Sequence, residues 1–80
     1  MPPEFMQKLH IGKMIESELR SQKRTVTWLS RQLHCDRRNV YDIFSRTSLD
    51  TSLLMRVSVI LHYNFFKALS DVYYDTFEDS

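Results

Sequence analysis

Apolar residues recur along this chain three and four positions apart, the spacing that lines one face of an α-helix. Ile11, Met14, Ile15 and Leu19 form the first such face and predict a helix over 9–22, ended by the polar stretch 21–24. Trp28, Leu29 and Leu33 mark a second helix over 26–34, with Thr25 placed to cap it through its hydroxyl. Val40, Ile43 and Phe44 mark a third over 37–44, with the Asp36 carboxylate placed to take its first N–H groups. A loop over 45–49 leads to Asp50, the cap of a fourth helix whose inner face is Leu53, Leu54, Val57, Ile60 and Leu61. Asn64 caps a fifth, striped by Phe65, Phe66, Leu69, Val72 and Tyr73, and the final DTFEDS is expected to fray.

Nothing interrupts this pattern. The chain has one glycine, Gly12, and its only prolines are Pro2 and Pro3. There is no sustained apolar–polar alternation and no Asn-Gly or Asp-Gly hairpin signal, so strands are not expected. Eighty residues make at most one domain. The expectation is an all-α, compact five-helix domain over 9–73, with an N-terminal arm over 1–8 and an acidic tail over 74–80.

The break LHCDRRNVYDIF asks for an explanation. Only His34 and Cys35 separate the second helix from the cap of the third, so the two meet at a sharp turn, the helix-turn-helix arrangement. Val40, Ile43 and Phe44 must face inward. Arg37, Arg38, Tyr41 and Asp42 cannot all be buried, and Asn39 lies between the two faces.

Net charge is only +1, but its distribution is uneven. Over 20–46, seven bases face two acids, a local excess of +5, while 70–80 holds four acids and no base. A basic centre with an acidic end suits a polyanionic partner. Arginine can pair in bidentate fashion with guanine, and asparagine with adenine, in the DNA major groove. Helix-turn-helix proteins place the start of their second helix there. Arg37, Arg38, Asn39 and Tyr41 are therefore candidate base-reading residues. Lys23, Arg24, Thr25, Thr27, Arg31, Arg46, Thr47 and Ser48 are candidate phosphate contacts. The competing reading is that Arg37 and Arg38 merely keep a helical domain soluble.

Other chemistry finds little footing. Cys35 is the only cysteine, so no intrachain disulfide can form, which fits a reducing compartment. His10, His34, His62 and Cys35 lack the spacing of a zinc site, and Cys35 is expected to fill an apolar position in the turn. There is no phosphate-binding glycine loop or nucleophile elbow, so no enzyme and no cofactor is expected. The opening MPPEFMQKLH does not read as a secretory signal, and no apolar run is long enough for a membrane span. In the aromatic end, Phe65 to Tyr73 are expected to seal the core, and Tyr74 and Phe77 to contact a second subunit.

With these positions on the page, the sequence resembles the Cro/repressor type of helix-turn-helix, the xenobiotic-response-element-like family, over about 11–69. IGKMI…ELR is similar to that family's opening helix. VTWLSRQLHCDRRNVYDIF puts Leu29, Ser30, Leu33, Cys35, Val40 and Ile43 where the motif takes apolar or small residues. LDTSLLMRVSVIL is similar to its fourth helix, with Ser58 at the usual alanine site. His34 stands at the family's turn glycine, Val26 at a glutamine that touches DNA, and Phe44 at a common glutamate.

The resemblance implies a lambda-repressor-like domain that binds double-stranded DNA, usually as a homodimer on a near-palindrome, without enzymatic activity. It gives Arg37, Arg38, Asn39 and Tyr41 the base-reading role, and places Val26, Thr27 and Trp28 near the phosphates. The expected function is sequence-specific transcription regulation of the repressor kind. The expected setting is the cytoplasm of a bacterium, for a host or phage protein associated with the nucleoid. A homodimer through the C-terminal aromatic helix is expected, with no small-molecule effector. The alternative is a protein-interaction module, antitoxin-like or an adaptor, on the same scaffold. RNA is disfavoured because A-form major grooves do not admit a helix.

Overall fold

Side chains that bond back to the main chain set most of the helix starts. A computed structural model describes residues 10–78, with side chains described as far as Tyr74. The arm over 1–8 and the expected first helical residue, Leu9, lie outside the described residues, as does the side chain of Phe77. Among the described residues there are five helices and no strand: α1 (Ile11–Ser21), α2 (Val26–Leu33), α3 (Arg37–Ser45), α4 (Thr51–Leu61) and α5 (Phe65–Glu78).

The His10 ring caps α1 by accepting from the Lys13 N–H at 3.1 Å. The expected caps Thr25, Asp50 and Asn64 accept from Trp28, Leu53 and Lys67 N–H at 3.0, 2.7 and 3.0 Å. Each bond satisfies one of the donors that a helix start otherwise leaves open, worth about 1 kcal/mol. Asp36 corrects the expectation. It sits at the N-cap of α3, but its side chain makes no capping bond. The Asn39 N–H, which such a cap would take, instead donates to the Asp36 backbone carbonyl at 3.0 Å.

Three helices end alike. Lys23, His34 and His62 have φ of 58°, 55° and 51°, in the left-handed region. At each, this residue's N–H donates three residues back and the next N–H donates five back, as in His34 to Arg31 and Cys35 to Ser30. That is the Schellman ending, a place usually given to glycine. The chain's one glycine is used elsewhere. Gly12 sits where α1 crosses the end of α3, and a Cβ there would fall on the Ile43 and Phe44 carbonyls. The Gly12 N–H donates to the Arg46 carbonyl at 2.9 Å, and that of Ile11 to Thr47 at 3.1 Å. The two helices thus meet backbone to backbone.

The core lies among α1 to α4. Ile15, Leu29, Val40, Val57 and Phe65 are fully buried, with Ile11, Leu19, Leu33, Ile43, Phe44, Leu54 and Leu61 nearly so. These are the inner faces that the spacing predicts. Two long side chains satisfy carbonyls at helix ends: Gln22 Nε2 donates to the Leu61 carbonyl at 2.7 Å, and Arg56 to the Leu33 carbonyl at 3.2 Å.

α5 departs from expectation. It continues to Glu78, through the first five residues assigned to the tail, because no glycine or proline interrupts it. Among the described residues it packs broadly against no other helix. Phe65 anchors it, Phe66 and Leu69 are partly buried, but Tyr73 is 55% exposed rather than part of the core. Tyr73 lies one step around the helix from Val72, off the inner row of Phe65, Leu69 and Val72. The molecule is accordingly long, 43 × 23 × 21 Å. No helix among the described residues is long and apolar enough to cross a membrane.

Candidate nucleic-acid interface

The outer side of α3 follows from its inner side. With Val40, Ile43 and Phe44 turned to the core, a 100° step per residue centres the opposite face on Arg38, Asp42 and Ser45. Arg37 and Tyr41 flank that face on one side, Asn39 and Arg46 on the other. The structure brings Arg37, Arg38 and Tyr41 to one shallow depression, together with Asp36. Both arginines are exposed. Tyr41 is 59% exposed, its ring held edge-on to Phe44 at 6.1 Å, so it stands out from the helix on a buried aromatic base. Because the Asp36 side chain makes no capping bond, the positive end of the α3 dipole carries two guanidinium groups and no carboxylate bonded into its first turn.

Asn39 does not join this cluster. It lines a groove between α3 and α4 with Asp42, Arg46 and Arg56, floored by Leu33, Ile43 and Leu53. Cys35 lines the same groove, partly buried against the core, so its apolar role in the turn is only partly met.

The candidate phosphate contacts fall into different situations. Lys23 is exposed at the left-handed end of α1. Arg24 lies over the Trp28 ring, 4.4 Å from its centroid, a cation–π contact that fixes the guanidinium beside the start of α2. The Thr25 oxygen already accepts the Trp28 N–H, which leaves its hydroxyl hydrogen to donate. Thr27 is half-buried and Arg31 exposed. Arg46 is an engaged cation: Nε and a terminal nitrogen reach Asp42 Oδ2 at 3.0 and 2.7 Å. Both partners are about half exposed, and such surface pairs are worth about 0–1 kcal/mol, so a phosphate competes easily for Arg46. Thr47 and Ser48 are exposed, while the Arg46 and Thr47 carbonyls tie this loop to the start of α1.

Two residues escaped sequence reasoning. Asp42 sits at the centre of the outer face of α3, the one acid among its outward positions. Its i, i+4 spacing to Arg46 was legible as an ion pair. Arg56 is the one charged residue of α4, and its isolation in an apolar helix was the available signal. Only the structure shows that it holds the end of α2.

Searches of protein-family models, curated proteins and solved structures find no match to this chain.

Proposed function

We propose that this protein is a sequence-specific double-stranded DNA-binding regulator of the Cro/repressor kind, with α2 and α3 as its helix-turn-helix and α3 lying in the major groove. One observation carries the reading. Arg37, Arg38 and Tyr41 converge at the start of a helix whose other side is locked into the core, directly after a three-residue turn. A rigid helix with two arginine forks at its leading end fits base-edge recognition, since bidentate pairing needs the fork held in place. Tyr41 adds an apolar ring and a hydroxyl one turn further on. Asn39, on the α3–α4 side, reads the groove's far edge or supports a phosphate bound by Arg46.

Around this centre, Lys23, Arg24, Thr25, Arg31, Arg46, Thr47 and Ser48 contact phosphates, with Thr27 contributing from its half-buried position. Two copies together read a near-palindrome, with recognition helices about 34 Å apart. On this reading the protein regulates by occupying its site, in the manner of a repressor.

Selection of binding sites from a randomised duplex library tests the reading, with the Arg37→Ala/Arg38→Ala double variant in parallel. The expected result is an enriched, near-palindromic motif that weakens or changes in the variant. No enrichment from folded protein transfers the assignment to a protein-interaction module on the same scaffold.

A further inference from the structure

We propose that Trp28 is a positioning residue for DNA: its ring holds the Arg24 guanidinium ready for a backbone phosphate of the duplex, without neutralising it. This role rests on the DNA-binding reading above. It also ranks the surrounding cations, with Arg24 ahead of Lys23 and Arg31.

Two main-chain bonds fix the two partners. The Arg24 N–H donates to the Leu19 carbonyl at 3.0 Å, inside the left-handed ending of α1. The Trp28 N–H donates to the Thr25 hydroxyl oxygen at 3.0 Å, in the first turn of α2. The link between α1 and α2 thus sets the backbone at both positions. Trp28 is half-buried and packs against the core, so its ring is a fixed platform. The Arg24 guanidinium carbon lies over that ring, 4.4 Å from its centroid, well within the reach of a cation–π contact. Tryptophan is the ring that makes this contact strongest. Arg24 itself remains exposed.

The kind of partner decides what is left for a ligand. Arg20 and Arg46 are held by carboxylates, Glu16 at 2.9 Å and Asp42 at 2.7 Å, which offset the charge and take up donors. Among the described residues no carboxylate pairs with Arg24. The face of a ring takes up no N–H, so the five donors of the guanidinium stay open along its edge. A guanidinium pairs with phosphate through two parallel N–H bonds, which favour a fixed orientation. Lys23 and Arg31 are exposed, and among the described residues neither lies over a ring. A free side chain loses rotamer freedom when it binds, whereas Arg24 has lost part of that freedom already in the folded protein. The difference is about two- to tenfold in affinity.

Fluorescence anisotropy of the full chain with a selected duplex and a random-sequence duplex, at several salt concentrations, tests this. Arg24→Ala should weaken binding to both duplexes about tenfold and lower the salt slope by about 1. Trp28→Leu should weaken both by about two- to tenfold and leave the salt slope unchanged, because the charge is still present. In the Arg24→Ala background, Trp28→Leu should have no further effect. Trp28→Phe keeps a ring in the same packing and should fall between Trp28→Leu and the wild type. A Trp28→Leu loss that is equally large without Arg24 assigns Trp28 to folding alone and overturns the proposal, as does a Trp28→Leu protein that binds like the wild type. If thermal melts show that Trp28→Leu does not fold, Trp28→Phe takes its place in the same cycle, with the same two overturning results. A wild type that binds neither duplex removes the DNA-binding reading and this role together. Wild-type binding that the Trp28 variants leave unchanged removes this role alone.

Discussion

Two turns in this molecule share one backbone design and lead to opposite results. At His34-Cys35 and at His62-Tyr63 the chain leaves a helix through a left-handed histidine, with the same pair of return bonds. The first turn delivers α3, which is packed on α1 and α2 and keeps only its polar side outside. The second delivers α5, which is held by Phe65 and, among the described residues, packs only Phe66 and Leu69 partly against the core beyond it. The turn sets where the next helix starts; the partners waiting for that helix decide whether it is buried. α3 finds Gly12 and the backbone of α1. Among the described residues, α5 meets no equivalent surface.

The largest expected effect breaks the favoured side of this comparison. In an ordinary helix Gly→Ala stabilises by about 1 kcal/mol. Gly12→Ala should instead destabilise by about 3 kcal/mol, because its Cβ meets backbone carbonyls that cannot move aside. Urea denaturation reads the sign directly, and a midpoint unchanged or raised would remove Gly12 as the reason α3 is buried.

Next comes the polar face itself. Arg38→Ala should cost about 1–3 kcal/mol at one base position of the selected site, while Arg31→Ala should weaken binding evenly across sequences and lower the salt slope by about 1. Competition with base-substituted duplexes at several salt concentrations distinguishes the two. Equal, sequence-independent losses would reduce Arg38 to a phosphate contact.

Smaller effects test the helix starts. Asp50→Ala should cost about 1 kcal/mol, the usual value of a bonded cap. Asp36→Ala should cost well under half of that, since its side chain makes no capping bond. Comparable losses in thermal melts would mean that Asp36 caps α3 in solution.

The smallest changes probe the shared turn. His34→Gly and His62→Gly should each stabilise by about 0.5–1 kcal/mol, the relief of about 1–2 kcal/mol of left-handed strain less about 0.5–1 kcal/mol of glycine's extra backbone entropy. Their φ angles differ by only a few degrees, so the two gains should be alike. A large gain at one turn alone would show that tertiary contacts, not the local bonds, hold the other in place.

The amino-acid sequence by itself determined the five helices, the caps at Thr25, Asp50 and Asn64, and the inner faces of α1 to α4. These depend on bonds and periodicities spanning three to seven residues, all of which lie within a short stretch of chain. The exposed Arg37, Arg38 and Tyr41 were legible for the same reason: once Val40, Ile43 and Phe44 are inside, the other side of the helix is fixed. Tertiary structure alone decided the rest. It turned Asn39 toward α4, set Arg56 on the end of α2 and gave the lone glycine to a helix crossing instead of a turn. Each of these outcomes depends on which surfaces meet across many intervening residues, and local spacing carries no record of that.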